Sequence, residues 1–309
     1  MATTKKTLLA TALLAALGMT SYAQAGTVSF GFDANGGGDS FVTAGALDWA
    51  PGNALAVEAV NLTAVGQTFQ LLYQANLATV NDTNAVPIAL GSGFTVVIGF
   101  TEIVTSLTAN NAQFAVAPGG SNYLRIYYGG AAGNNLAGTG FDDGTLVLDA
   151  TVVSGASQYT NDSSQPNPLP ALDGFGTDNF AGVTTVKGQG SGDITAQVNS
   201  WDAGFFDFSA FGGSIVLNTL FNFNLNTPFG QVDPSRQFIN DDTNVFRAPV
   251  RGAGNINGVG LAGGGLADFQ LQADANQSFV TTVPEPASLA LMGLGLLGMG
   301  FAGRHRRRA

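Results

Sequence analysis

The chain has 309 residues, 45% of them hydrophobic and only 10% charged, with 43 glycines, no cysteine and a formal net charge of −10. So few charges exclude a helical bundle or coiled coil, which is built on Glu, Lys and Arg, and the missing cysteines exclude a disulfide scaffold. A sequence pI of about 4.2 excludes a nucleic-acid binder, because neutralising phosphates needs Lys and Arg.

Lys5 and Lys6 precede an apolar run from Leu8 to Leu17, and Ala23-Gln24-Ala25 puts small residues at the two positions a signal peptidase reads. Cationic, apolar and small-residue parts in that order form a secretory signal over residues 1–25, cut after Ala25. Residues 26–283 then make one extracellular β-rich domain, within the size range of single all-β domains.

Val28, Phe30 and Phe32 mark a first strand. Asp33-Ala-Asn-Gly-Gly-Gly-Asp39 follows, with side-chain oxygens at Asp33, Asn35 and Asp39 around a glycine turn, as calcium loops open. Its twelfth position is Ala44 in place of a bidentate Glu, so it is no EF-hand. Asp, Asn and Gly also make plain turns, because their side chains bond local backbone. The turn is the simpler reading and calcium the alternative. Asp142-Asp143-Gly144 and Asp241-Asp242-Thr243-Asn244 pose the same choice.

Phe94 to Val104 and Thr145 to Val153 are β-branched runs with partial alternation. Gly129-Gly-Ala-Ala-Gly-Asn-Asn and Gly252 to Gly265 punctuate turns or long loops. Asn161 to Pro170 contains Pro166, Pro168 and Pro170; lacking their amide donors it is a surface loop and no central strand. Ile215 to Asn226 alternates, with Leu217, Phe221, Phe223 and Leu225 on one side and Asn218, Asn222, Asn224 and Asn226 on the other. Phe269-Gln-Leu-Gln-Ala-Asp puts Phe269, Leu271 and Ala273 inward and Gln270, Gln272 and Asp274 outward. That segment echoes Phe69-Gln-Leu-Leu-Tyr-Gln-Ala-Asn at five of eight positions, which reads as two strands in similar surroundings. Many strands with one apolar face, and no sustained helical pattern, predict an antiparallel β-sandwich of jelly-roll type.

Between Gly26 and Val283 stand Arg125, Lys187, Arg236, Arg247 and Arg251 against twenty acids, a net charge of −15, with neither His nor Cys. Ser-His-Asp and Cys-His catalysis lack their imidazole there, and zinc and copper lack their usual ligands. Carboxylate chemistry survives: oxygen-coordinated calcium, or an acid pair of the glycosidase kind. With Glu58 and Glu102 the only glutamates, such a pair would rest mainly on aspartates. No catalytic residue is assigned. The Asn rows, with Trp49, Tyr123, Tyr127, Tyr128 and Trp201, suit sugar hydroxyls and apolar sugar faces, though the same residues serve as strand surface and core.

Pro284-Glu285-Pro286 opens the C-terminal segment 284–309, followed by an apolar stretch from Ala287 to Gly303 and then Arg304, His305, Arg306, Arg307 and Arg308. Seventeen residues as a helix span about 25 Å, at the short end for a bilayer core of about 30 Å. Arg304, Arg306, Arg307 and Arg308 would stay cytoplasmic by the positive-inside rule, so this is a single transmembrane helix with a basic tail. A permanent anchor is one reading. The order of motif, apolar helix and arginine cluster from Val283 to Ala309 also resembles the PEP-CTERM sorting signal of Gram-negative bacteria. That resemblance implies an exosortase in the inner membrane that recognises Pro284, Glu285 and Pro286 and cleaves nearby. The protein would cross the inner membrane transiently and leave for the cell surface or extracellular matrix.

The body is similar to flocculation-associated PEP-CTERM proteins in Val28-Ser-Phe-Gly-Phe-Asp-Ala-Asn-Gly, Phe141-Asp-Asp-Gly-Thr-Leu and Asp268-Phe-Gln-Leu-Gln-Ala-Asp-Ala-Asn-Gln-Ser-Phe. The likeness implies a non-enzymatic matrix protein that associates with extracellular polysaccharide in flocculation or biofilm formation. It brings no catalytic residue and no cofactor. The alternatives are a carbohydrate-active enzyme using aspartates and a calcium-stabilised adhesin.

Overall fold

The computed structural model describes residues 28–84, 86–88, 93–241 and 268–281. The expected signal helix, the transmembrane helix and the Gly252 to Gly265 loop lie outside these residues. Among the described residues no helix is long and apolar enough to cross a membrane. Residues 27–281 form one compact unit.

Fifteen strands are described. They are β1 (Phe30–Phe32), β2 (Val42–Ala44), β3 (Ala46–Trp49), β4 (Gly52–Ala56), β5 (Thr68–Asn81), β6 (Pro87–Ile88), β7 (Phe94–Leu107) and β8 (Asn111–Val116). There follow β9 (Tyr123–Tyr128), β10 (Thr145–Asn161), β11 (Gly188–Trp201), β12 (Phe206–Asp207), β13 (Ile215–Thr227), β14 (Phe269–Ala273) and β15 (Asn276–Thr281). The expectation of an antiparallel all-β fold holds, since every strand pairing is antiparallel.

The pairings link the strands into one ladder that closes on itself. Starting at β5, the ladder passes to β7, through β8 and β9 to β10, then to β11 and β13. From β13 it continues through β14 and β15 to β4 and β3, and so back to β5. Most paired strands are consecutive or one strand apart in sequence, because a chain folding back needs only a short connection, while β14 with β4 and β15 with β3 join the two ends of the chain. The main sheet is therefore one continuous, barrel-like ladder, which is compatible with the two packed layers of a flattened sandwich. The long link between β10 and β11 holds the proline-rich Asn161 to Pro170 segment and carries only isolated bridges, as the missing amide donors require.

The ladder encloses a core supplied by alternate positions of its strands, among them Tyr73, Ala75 and Leu77 of β5, Val96 and Ile98 of β7, and Leu217 and Phe221 of β13. A small sheet of order β12-β1-β2 stops one end. There Phe30 meets Phe279 at 4.7 Å between ring centroids, Phe32 meets Phe94 at 5.1 Å, and Phe206 stacks on Phe208 at 5.7 Å. Offset and edge-to-face pairs of this kind add about 0.5–1.5 kcal/mol each beyond their burial.

The echoed segments have a structural reason for their likeness. β14 and β5 flank the same strand, β4: Ala54 pairs with Leu271 on one side and with Tyr73 on the other. Both present glutamines away from the core, as alternation predicts for Gln270 and Gln272. These side chains do not meet solvent, however. Gln270, Gln272, Asn53 and Gln74 are buried, because residues 230–239 cross them and are hydrogen-bonded by their amides.

Candidate functional site

The exposed end of β11 shapes an open groove of about 420 Å³ beside the aromatic plug, lined by Phe41, Trp201, Phe206, Phe208, Asp207 and Ser209 among others. Trp201 leaves the sheet with 42% of its surface exposed and rests edge-on against Phe208, 5.4 Å between centroids. Asp207 Oδ1 accepts the Ser209 N–H at 2.8 Å, and that bond holds its carboxyl below the ordinary range. The groove thus offers an indole face, a carboxylate and a hydroxyl on a firm apolar base.

The Asp33–Ser40 loop runs directly into Phe41, one of the residues that line this groove. Asp33 Oδ1 accepts the Asn35 N–H at 3.0 Å, while Oδ2 accepts those of Gly38, Asp39 and Ser40 at 3.0, 3.2 and 3.2 Å. The Asn35 amide, ahead of burial, and then those of Ser40, Asp39 and Gly38 hold this carboxyl below its usual range. The Asp33 N–H in turn donates to the Phe205 carbonyl at 2.9 Å. Gly36 adopts φ +72° with the Phe205 ring where a Cβ would stand, so only glycine fits. The folded loop delivers Phe41 to the groove.

These bonds describe a turn. Asn35 Oδ1 accepts the Gly37 N–H at 2.8 Å and Asp39 Oδ1 the Ser40 hydroxyl at 3.1 Å, so the oxygens singled out as calcium ligands face the loop's own donors. Among the described residues no group of three or more His, Cys, Asp or Glu side chains gathers in one place. Asp143 accepts the Ala131 N–H at 3.3 Å. Asp241 lies 3.1 Å from Arg125, which also grips Asp149 at 2.8 Å. Asp242 and Asn244 lie outside the described residues.

Of the five aromatics read as sugar platforms, Trp49, Tyr123 and Tyr127 are buried. Tyr128 is half-buried, with its ring against Phe94 and Phe205 at 4.7 Å each. Strand aromatics here pack to fill the barrel and the layer outside it, which leaves Trp201 as the exposed one of the five. Asn218 Oδ1 accepts the Thr195 hydroxyl at 3.2 Å across strands; the side chains of Asn222 and Asn224 lie outside those described. Phe41, Asp207 and Ser209 were not singled out from sequence, because nothing in local pattern says that a Phe after a turn and an Asp in a two-residue strand face one groove.

Of the two glutamates among the described residues, Glu102 is the buried one, 3% exposed on β7. Burial pushes its carboxyl up to about 7, against the Ser157 hydroxyl, which donates to Oε1 at 2.6 Å and pulls the other way. Among the described residues the cavity it faces is lined by no second carboxylate.

Residues 282–308 match the PEP-CTERM protein-sorting motif family. The match spans Pro284, Glu285, Pro286 and the cluster Arg304, Arg306, Arg307 and Arg308, all outside the described residues, as are the cleavage residues Ala23 and Ala25. Such a motif implies export, processing by exosortase and sorting to the cell surface. No curated protein and no solved structure matches the chain.

Proposed function

Since the chain carries a PEP-CTERM sorting motif, we propose that it is a non-enzymatic protein of the Gram-negative cell surface or extracellular matrix that associates with extracellular polysaccharide in floc or biofilm formation. Signal peptidase cuts after Ala25; the inner membrane holds the chain transiently until exosortase acts near Pro284-Glu285-Pro286.

The observation that carries the polysaccharide reading is the exposed indole of Trp201 beside Asp207 and Ser209. A sugar ring has an apolar face for the indole and hydroxyls for the polar pair. The non-enzymatic reading is supported by the lack of His and Cys in residues 26–283 and by the single carboxylate in the Glu102 cavity. At −15, the domain favours neutral or cationic polymer and repels acidic polymer unless divalent ions such as calcium bridge the two.

The test compares a clean deletion strain, the wild type and a Trp201→Ala strain for settling and for polymer retained against polymer released. Deletion is expected to disperse cells that still make the same amount of polymer. Trp201→Ala is expected to weaken polymer binding about fivefold to tenfold, with only the small drop in melting midpoint that loss of the Phe208 ring contact brings. Unchanged retention in the deletion strain overturns the matrix role; unchanged binding by Trp201→Ala overturns this groove as its site.

A further inference from the structure

The end of the barrel away from the aromatic plug holds a second, different cavity. Along β7 the chain runs from Phe94 in the plug to Glu102, eight residues or about 26 Å of extended strand. The cavity measures about 460 Å³, inside the usual range of small-molecule sites, about 300–1,000 Å³. Its wall is built from inward positions, chiefly Phe69 and Leu71 of β5, Phe114 of β8, Leu225 of β13, and Phe269 and Leu271 of β14. Two edge-to-face pairs frame it, Phe69 with Phe114 at 5.1 Å and Tyr159 with Phe269 at 5.2 Å.

One ionisable carboxyl is set into this hydrocarbon wall. Glu102 accepts the Ser157 hydroxyl at 2.6 Å, and no second donor reaches it among the described residues. Among the described residues the cavity's lining includes no Lys or Arg. Its other titratable group is Tyr159, whose hydroxyl bonds Thr227 and which burial keeps neutral, well above the usual tyrosine range. Asp193 of β11, opposite Ala156, is exposed and lines an adjoining groove instead. A carboxyl buried in an apolar wall without a cation costs free energy and gives the fold nothing that an apolar side chain would not give better.

We propose that this cavity binds a small apolar molecule bearing one ammonium group, the ammonium seated on Glu102 and the hydrocarbon lying along Phe69, Phe114, Leu225 and Phe269. The cation is selected twice. Among the described lining residues Glu102 is the one group that can carry a negative charge near neutral pH, and the donors beside it, such as the Asn111 and Gln158 amides, are neutral, so no cationic donor meets an anion there. The domain's −15 charge concentrates cations and repels anions at the mouth.

Octylammonium, octanol and octanoate are titrated calorimetrically into the protein recovered from the producing cells, without detergent, on either side of pH about 7. Octylammonium is expected to bind and octanoate not to, with the octylammonium affinity rising as pH climbs and Glu102 ionises. Glu102→Gln is expected to lose about tenfold or more in octylammonium affinity and to keep its affinity for octanol. In wild-type protein, octylammonium is also expected to move the titration of the Glu102 carboxyl carbon, read by NMR, to lower pH. Absent octylammonium binding, equal affinity in Glu102→Gln, octanoate binding as tightly, or an unmoved Glu102 titration each overturns the proposal.

Discussion

Gln74 holds Ile239 as a neighbouring strand would. Its Oε1 accepts the Ile239 N–H at 3.0 Å while its Nε2 donates to the Gln237 carbonyl at 3.1 Å. Asn53 accepts the Ser235 N–H at 2.8 Å, and Gln270 donates to the Ser235 carbonyl at 2.9 Å. Gln272 takes the amides of Gly230 and Gln231 at 3.1 and 2.7 Å. A primary amide carries one acceptor and two donors, so three adjacent strands bind a segment that forms no strand itself.

Gln74→Leu follows directly from this geometry. It strips the partners from a buried N–H and a buried carbonyl at once, and each stranded group costs about 1–3 kcal/mol. Denaturant unfolding is expected to show a loss of about 2–4 kcal/mol. A loss near zero would mean that water reaches the segment and replaces the amide.

Glu102 predicts a pH dependence. Its carboxyl ionises near 4.5 when unfolded and near 7 when folded, so between those values the folded chain holds a proton the unfolded chain has released. The group's stabilising contribution is complete below about 4.5, falls as pH rises, and is gone above about 7. The stability difference between wild type and Glu102→Gln is expected to fall by about 3 kcal/mol across that window. Unfolding curves at a series of pH values check it; a flat difference refutes it.

Gln277 points in the opposite direction, toward a gain. It lies on β15 opposite Thr219 and is fully buried, and neither of its amide atoms has a hydrogen-bond partner among the described residues. The near-isosteric Gln277→Met removes that desolvated amide and is expected to stabilise the fold by about 1 kcal/mol or more. A lower melting midpoint would reveal a buried water that the amide needs.

Asp33 separates a turn from a metal site. Asp33→Ala is expected to lower the melting midpoint and loosen Phe41, read as weaker polymer binding, because four amides lose their acceptor. A chelator is expected to leave the wild-type midpoint unchanged. The carboxylate's contribution is present above its unfolded value of 3.8 and is lost as pH falls below it. A chelator-dependent midpoint would restore calcium to this loop.

Alternation in the sequence located the strands well. Ile215 to Asn226 and Phe269 to Asp274 reappear almost unchanged as β13 and β14, and the matched segments at Phe69 and Phe269 do share surroundings, on either side of β4. Period-two patterning reports which face a side chain takes, and that is where its reach ends. It put Gln270 outward correctly, yet it has no information about residues 230–239 lying over that face. Nor does it say which strands pair, because β5 meets β3 and β4 through contacts set by the whole chain. Glu102 escaped notice for a related reason: in a β-branched run it looks like any outward charge, and only the ring of strands around it makes it an interior acid.

The closure of the ladder also bears on crowding in a matrix. Every long strand of the main sheet has both flanks occupied by its own neighbours, so it offers no bare row of amides and carbonyls for a second chain to extend. A protein accumulating outside the cell can then reach high local density without seeding fibrils through strand addition. Under the proposed matrix role, any cohesion would then pass through side chains and loops, where it stays reversible.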